Sequence, residues 1–139
     1  MVRRDVAGAH LARATTWLDD SERLFGQPPA EFVEAAKDRD LAIFYLFLAI
    51  QECIDLAAHW VADAGWGPPD DAGSTFDVLA DRGAIDRALA ATLHQAAGVR
   101  NRIAHGYAML DYRRVQVEAQ RGLPALRAFL NAVAREAGL

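Results

Sequence analysis

The feature that most constrains this chain is a continuous apolar run from Leu41 to Ile50. It lies in the first half of a segment, about residues 39–64, whose pattern predicts one long helix. Because the run is apolar on every side of such a helix, more than one neighbour must bury it. A chain of 139 residues makes one ordinary domain with a single core, so we expect one of those neighbours to be a second subunit.

Glycine and proline divide the remaining sequence into further helices. Gly26 with Pro28-Pro29, and Gly65 with Pro68-Pro69, mark the ends of two of them. The predicted helices cover about residues 5–25, 31–37, 39–64, 74–83, 85–105 and 111–137. The sequence shows no strand signal. It therefore predicts a single all-α domain over residues 1–139, an up-and-down bundle of four to five helices.

Polar and helix-breaking residues also predict how some of these helices begin and run. Ser74 or Thr75 is expected to cap the fourth helix, and Asp111 the last one. Gly122 and Pro124 are expected to kink or interrupt the last helix, since proline removes a backbone donor.

Composition narrows the class of protein. Apolar residues make up 53% of the chain and charged residues 24%, which is typical of a globular domain. The formal net charge of −4 argues against a broad electrostatic grip on nucleic acid, so any RNA contact must be local or use a composite surface. The single cysteine, Cys53, cannot form an internal disulfide and is expected in the core.

Two observations bear on location. The longest apolar run has ten residues, too short to span a bilayer as a helix. The N-terminus, Met1-Val2-Arg3-Arg4-Asp5, opens no apolar signal region. The sequence therefore predicts a cytoplasmic protein without membrane contact.

Arg100, His105 and Tyr107 fall within eight residues, where a helix is predicted to end. Arginine holds a phosphate with a planar fork of donors, and histidine moves a proton near neutral pH, which together favour phosphodiester chemistry. Asn101 and His105 are four residues apart and share a helix face. Arg100 lies about 140° from His105, so only its long side chain could reach the same pocket. A helix break at Gly106 would let Tyr107 swing back beside His105.

A purely structural role for these residues is the alternative, and spacing alone favours it. An arginine, an asparagine and a histidine near a helix end can cap carbonyl groups and pair with a carboxylate. In the same way, Arg113 and Arg114 fall in the first turn of the last helix, where the helix dipole disfavours cations. This placement hints at anion binding, although a solvated surface is the simpler explanation.

A polar stripe on the long helix is the second candidate. Gln51, Asp55 and His59 are spaced by four residues, with Glu52 alongside, and Asp55 can pair with His59 within the helix. The stripe is either a solvated face or pocket support, in which Asp55 or Glu52 orients His105 or Arg100; spacing does not decide between them.

The sequence predicts no metal centre and no cofactor. No histidine is preceded three residues earlier by glutamate, as in di-iron bundles, and no Cys/His set for zinc occurs.

The stretch GVRNRIAHGY resembles the signature of HepT-like proteins of the HEPN superfamily. That signature is an arginine followed by a polar residue, then a histidine five positions after the arginine, and a tyrosine two positions later. It falls on Arg100, Asn101, His105 and Tyr107 without a gap. The resemblance extends over about residues 38–134, with the first helix similar only in general character.

The resemblance implies a HEPN-like helical fold, a symmetric homodimer and a metal-independent RNA endonuclease. Such proteins are toxins of type II/VII-like toxin–antitoxin systems. Arg100, Asn101 and His105 would then be catalytic, and the product would carry a 2′,3′-cyclic phosphate. Apart from the resemblance, Asp55, Glu52, His59 and Arg102 are candidates for pocket support. The implied partner is a cognate minimal nucleotidyltransferase, an antitoxin that adds AMP units to Tyr107. The alternative function is a non-catalytic subunit that binds a nucleotide or a partner for such a nucleotidyltransferase.

Overall fold

The computed structural model describes residues 2–139, which form helices and contain no strand. The helices are α1 (Arg4–Phe25), α2 (Pro29–Glu34), α3 (Ala36–Ala64), α4 (Ala72–Asp81), α5 (Arg87–Gly106) and α6 (Tyr112–Ala137), with a short 3-10 helix at Tyr107–Met109. Four of them are long and build a bundle, while α2 and α4 are short connecting helices. The predicted all-α bundle is confirmed.

The long helix α3 is the centre of the bundle. It packs against α1, α4, α5 and α6, and Ile43, Leu46 and Ile50 from its apolar run are buried. The run is not buried on every side within one chain, because Leu41 is 43% exposed and Phe44 is 52% exposed. The open face lies where the sequence predicted a second subunit, which stays a prediction.

By length and composition, α3 is also the one helix within residues 2–139 that could cross a membrane. The sequence argument from a ten-residue run was therefore too narrow, because the apolar character continues past Ile50. Half of the most apolar part of α3 is buried inside the bundle, as is common for a core helix of a soluble protein. Cys53 on this helix is buried as predicted, and burial raises the pKa of its thiol.

One of the two predicted N-terminal helix caps is confirmed and the other is wrong. Asp111 caps α6 as predicted, with its side chain accepting a hydrogen bond from the backbone N–H of Arg114. The prediction for α4 was wrong, because its cap is Asp71, whose carboxylate accepts from the backbone N–H of Ser74 at 2.8 Å. A carboxylate is the stronger acceptor, and it lies three residues before the N–H that it binds, as cap geometry requires.

The predicted interruption of α6 does not occur, since the helix runs unbroken from Tyr112 to Ala137 with Pro124 inside it. Pro124 is exposed, while Leu123 and Leu126 beside it are buried. Core packing on both sides of the proline therefore outweighs the one backbone hydrogen bond that it removes.

Candidate active site at the end of α5

The Arg100–Tyr107 segment occupies the last two turns of α5 and the short 3-10 helix. The helix ends at Gly106, as predicted. Gly106 has a φ of −142°, so the ending is not the left-handed turn that glycine usually provides. Tyr107 keeps right-handed helical angles, and the chain continues in the same direction before it turns into α6.

Arg100 reaches from α5 to α3. Its Nη1 donates a hydrogen bond to Oε1 of Gln51 at 3.1 Å, and Nε2 of Gln51 donates to Oδ1 of Asp55 at 3.0 Å. Asp55 therefore supports Arg100, but through Gln51, which the sequence placed in the polar stripe without a role. Arg100 and Gln51 lie 49 positions apart, so no helical spacing could have paired them.

One buried donor of Arg100, its Nε, has no hydrogen-bond partner among residues 2–139. A buried donor without an acceptor costs about 1–3 kcal/mol, and arginine is the side chain that best accommodates two oxygens of one phosphate. An anionic oxygen could satisfy this donor, provided that the side chains covering it move aside.

His105 faces the other side of α5. It is exposed and lines a cavity of about 490 Å³ between the end of α5 and the start of α6. Asn101 lines the same cavity, as the four-residue spacing predicted. Arg100 does not line this cavity within one chain, since its side chain does not overcome the 140° offset and its guanidinium lies against α3 instead.

Two arginines meet one carboxylate in the cavity of His105. Arg102 donates a hydrogen bond from Nη2 to Oε1 of Glu118, and Nε of Arg114 lies 3.3 Å from the same oxygen. Arg102 thus lines the cavity. Glu118 neutralises part of the positive charge that the two guanidinium groups bring there.

A larger groove of about 810 Å³ continues from this cavity between α5 and α6. Arg102 and Arg114 line both, and Arg113 and Arg121 add two further cations to the groove. Its floor is apolar, formed by Leu46, Ile50, Val99 and Leu126. Arg113 and Arg114, ambiguous in the sequence, therefore belong to a cationic groove in a chain of net negative charge.

Tyr107 does not return to His105, contrary to the prediction. It lies near Asp40 at the start of α3, because the 3-10 helix carries it onward instead of back. Burial, and then the neighbouring Asp40 carboxylate, raise the pKa of Tyr107 to about 12. The ring is 38% exposed, so the side chain stays accessible from solvent.

The remaining stripe residues face α1. Glu52 accepts hydrogen bonds from His10 and from Arg13, and the ring of His59 lies 5.5 Å from that of His10. Glu52 therefore does not orient His105 or Arg100, the role that the stripe left open for it, and His59 also lies on the α1 side. The expected pairing of Asp55 with His59 is not among the hydrogen bonds of residues 2–139, since Asp55 binds Gln51.

The sequence model of the family described as Ribonuclease HepT-like matches residues 16–133 of the chain. No curated protein sequence matches it significantly.

Several solved structures share its fold. A tri-AMPylated HEPN toxin of Shewanella oneidensis in complex with an MNT antitoxin is similar with a TM-score of 0.84 and 23% identity, over 94% of this chain and 98% of that one. A toxin–antitoxin with AMP-PNP has the same TM-score and coverage at 22% identity. The cytosolic protein of unknown function YutE of Bacillus subtilis follows with 0.77 and 13%, over 94% and 93%.

Proposed function

Because the chain belongs to the HepT-like ribonuclease family, we propose that it is a metal-independent RNA endonuclease and the toxin of a type II/VII-like toxin–antitoxin system. The observation that carries this proposal is that Arg100, held by Gln51 on α3 with one buried donor unpaired, and an exposed His105 lie on the same helix. The guanidinium can bind an anionic oxygen once the side chains that cover its Nε move aside, and the imidazole is open to solvent and substrate. These are the two requirements of RNA cleavage by its own 2′-hydroxyl.

The proposed reaction needs two copies of the chain. His105 of one copy takes the proton of the 2′-hydroxyl, whose oxygen attacks phosphorus, and His105 of the other copy protonates the departing 5′-oxygen. The products are a 2′,3′-cyclic phosphate and a 5′-hydroxyl. Arg100 stabilises the charge that builds on the phosphate, and Asn101 orients His105 or binds a phosphate oxygen. The separation of Arg100 from His105 within one chain supports a composite site across a homodimer.

The substrate path is the groove between α5 and α6. Its arginine rim supplies a local grip on phosphates that the net charge of −4 does not provide overall. Its apolar floor suits the faces of unpaired bases, which favours single-stranded RNA over a duplex.

Regulation by a cognate minimal nucleotidyltransferase antitoxin is part of the proposal. The antitoxin would transfer AMP units to the hydroxyl of Tyr107, which is accessible and two residues from His105. The added bulk and negative charge would repel a phosphate from the site. We place this pair of proteins in the cytoplasm, where RNA and ATP are both present.

The test is controlled bacterial expression of wild type, Arg100→Ala, His105→Ala and Arg87→Ala. Arg87 is a matched control, because it is an exposed arginine at the start of the same helix and pairs with Asp81. We expect growth arrest and RNA cleavage with wild type and Arg87→Ala, and loss of both with the other two. Cleavage by purified protein should fall by about 10²–10⁴-fold without His105 and persist in the presence of EDTA.

Healthy growth with all four soluble proteins would contradict the nuclease and favour the non-catalytic subunit. Mass spectrometry after co-expression with a neighbouring nucleotidyltransferase tests the regulation separately. An AMP adduct on Tyr107, absent from Tyr107→Phe, is the expected result.

A further inference from the structure

A second cluster of polar side chains lies between α1 and α3, away from the cavity of His105. One ligand atom each from His10, Glu52 and Asp55 lies within 4.8 Å of the others. The His10 side chain is 17% exposed and that of Glu52 15%, so both are largely screened from solvent. Spacing within one helix could not predict this cluster, because His10 and Glu52 are 42 residues apart and lie on different helices.

We propose that His10, Glu52 and Asp55 bind a divalent transition-metal ion, with Zn²⁺ the best match. Metal–ligand bonds of about 2.0–2.2 Å bring the ligand atoms around one ion to roughly 3–4 Å from each other, so small side-chain rotations close this site. An imidazole among the ligands favours zinc and its neighbours over Mg²⁺ or Ca²⁺, which prefer oxygen alone. All three ligands stand on helices, and Glu52 and Asp55 are one turn apart on α3.

His59 extends the site. Its ring lies 5.5 Å from the ring of His10, and the side chain is exposed, so it can turn toward the ion as a fourth ligand. Water fills that position otherwise, as in zinc sites with three protein ligands.

Without an ion, the side chains of His10 and Arg13 bind the Glu52 carboxylate. His10 binds one of its oxygens and Nε of Arg13 binds the other at 2.9 Å. Nη2 of Arg13 also lies 3.3 Å from Nδ1 of His10, so the half-exposed guanidinium must swing away from that nitrogen when an ion binds it, while Nε can keep its bond to the other Glu52 oxygen.

The ion would join α1 to α3 and stand close to the Arg100 support. Asp55 accepts from Gln51 through Oδ1, and Gln51 accepts from Arg100, so the site is two hydrogen bonds away from the guanidinium. The role is structural, since neither His105 nor the arginine groove contributes a ligand. The site stands independently of the proposed ribonuclease activity.

The test uses the full chain without an affinity tag, stripped with EDTA and dialysed against limiting Zn²⁺. Elemental analysis should find one zinc per chain in wild type and none in His10→Ala or Asp55→Asn. His94→Ala is the matched control, because His94 also pairs with a carboxylate, Asp77, but lacks a third ligand. It should retain zinc.

Two further readouts keep the result clear if one variant folds poorly. The melting temperature of wild type should rise by several degrees with saturating Zn²⁺, while that of His10→Gln should not move. Co²⁺ in place of Zn²⁺ should give visible absorption bands that disappear in His10→Gln. Zinc that is absent from wild type, or bound equally by His10→Ala and wild type, would overturn the proposal and leave a simple ion-pair network; neither result touches the ribonuclease test.

Discussion

Arg100 on α5 is held by Gln51 on α3, through a hydrogen bond of 3.1 Å from Nη1 to Oε1. Both ends of the Gln51 amide are used, since its nitrogen donates to Asp55. The guanidinium is thereby held in place before any ligand arrives, with its buried Nε unpaired. A group fixed in advance stabilises developing charge better than one that must reorient during the reaction.

Replacing Gln51 with leucine should therefore show whether Gln51 positions Arg100 for catalysis or only stabilises the fold. The change leaves a partly buried donor of Arg100 unpaired, so we expect the free energy of unfolding to fall by about 1–3 kcal/mol. We also expect kcat for RNA cleavage to fall about tenfold or more with little change in KM, because Arg100 acts mainly in the transition state. Denaturant unfolding and steady-state kinetics measure the two effects. A lower stability with unchanged kcat would confine Gln51 to a structural role.

Removing the charge of Glu118 should strengthen RNA binding, whereas removing Gln51 should weaken catalysis. It binds Arg102 and Arg114 inside the cavity of His105, where its charge opposes a phosphate. Glu118→Gln should tighten the binding of a non-cleavable 2′-deoxy oligonucleotide by roughly fivefold, about 1 kcal/mol, with a smaller gain at high salt. Fluorescence anisotropy at two salt concentrations measures this. Glu136→Gln, an exposed carboxylate near the end of α6, is the matched control, and equal gains from both variants would rule out a local effect.

The raised pKa of Tyr107 predicts that the free energy of unfolding falls at alkaline pH. Its pKa is raised to about 12, so the folded protein holds the phenol proton more tightly than the unfolded chain, whose tyrosine titrates near 10. The stabilisation is fully present below about pH 10 and is lost as the pH rises from there toward 12. The stability of wild type relative to Tyr107→Phe should therefore be constant below about pH 10 and decline between about pH 10 and pH 12. A constant difference across that range would show that Asp40 and burial do not act on this hydroxyl.

The sequence could predict what helical spacing determines. The shared face of Asn101 and His105, and the helix end at Gly106, follow from positions on one element. The partners of Arg100 and Tyr107 could not be predicted, because they lie on α3 and depend on how two helices are placed against each other.

The polar stripe on α3 shows the same limit. Four polar residues on one helix were recognised, but their division between Arg100 on one side and His10 on the other is set by the positions of α5 and α1. Spacing also cannot tell a buried apolar face from one left open, as Leu41 and Phe44 show.

The open face of α3 leads to the last prediction, on the homodimer. Phe44 is 52% exposed and Leu41 43%, next to the buried part of the helix, and a large exposed apolar side chain is characteristic of an interface. Phe44→Glu places a charge on this face without disturbing the core of one chain. We expect light scattering to show a monomer with a nearly unchanged melting temperature, and RNA cleavage to be lost, because the proposed reaction needs His105 from two copies.

Leu139→Glu is the control for this variant. It changes an apolar residue that is 51% exposed at the C-terminus, and the protein should remain dimeric and active. A monomeric Phe44→Glu protein that still cleaves RNA would contradict the two-histidine mechanism, and a dimeric one would exclude this face of α3 from the interface.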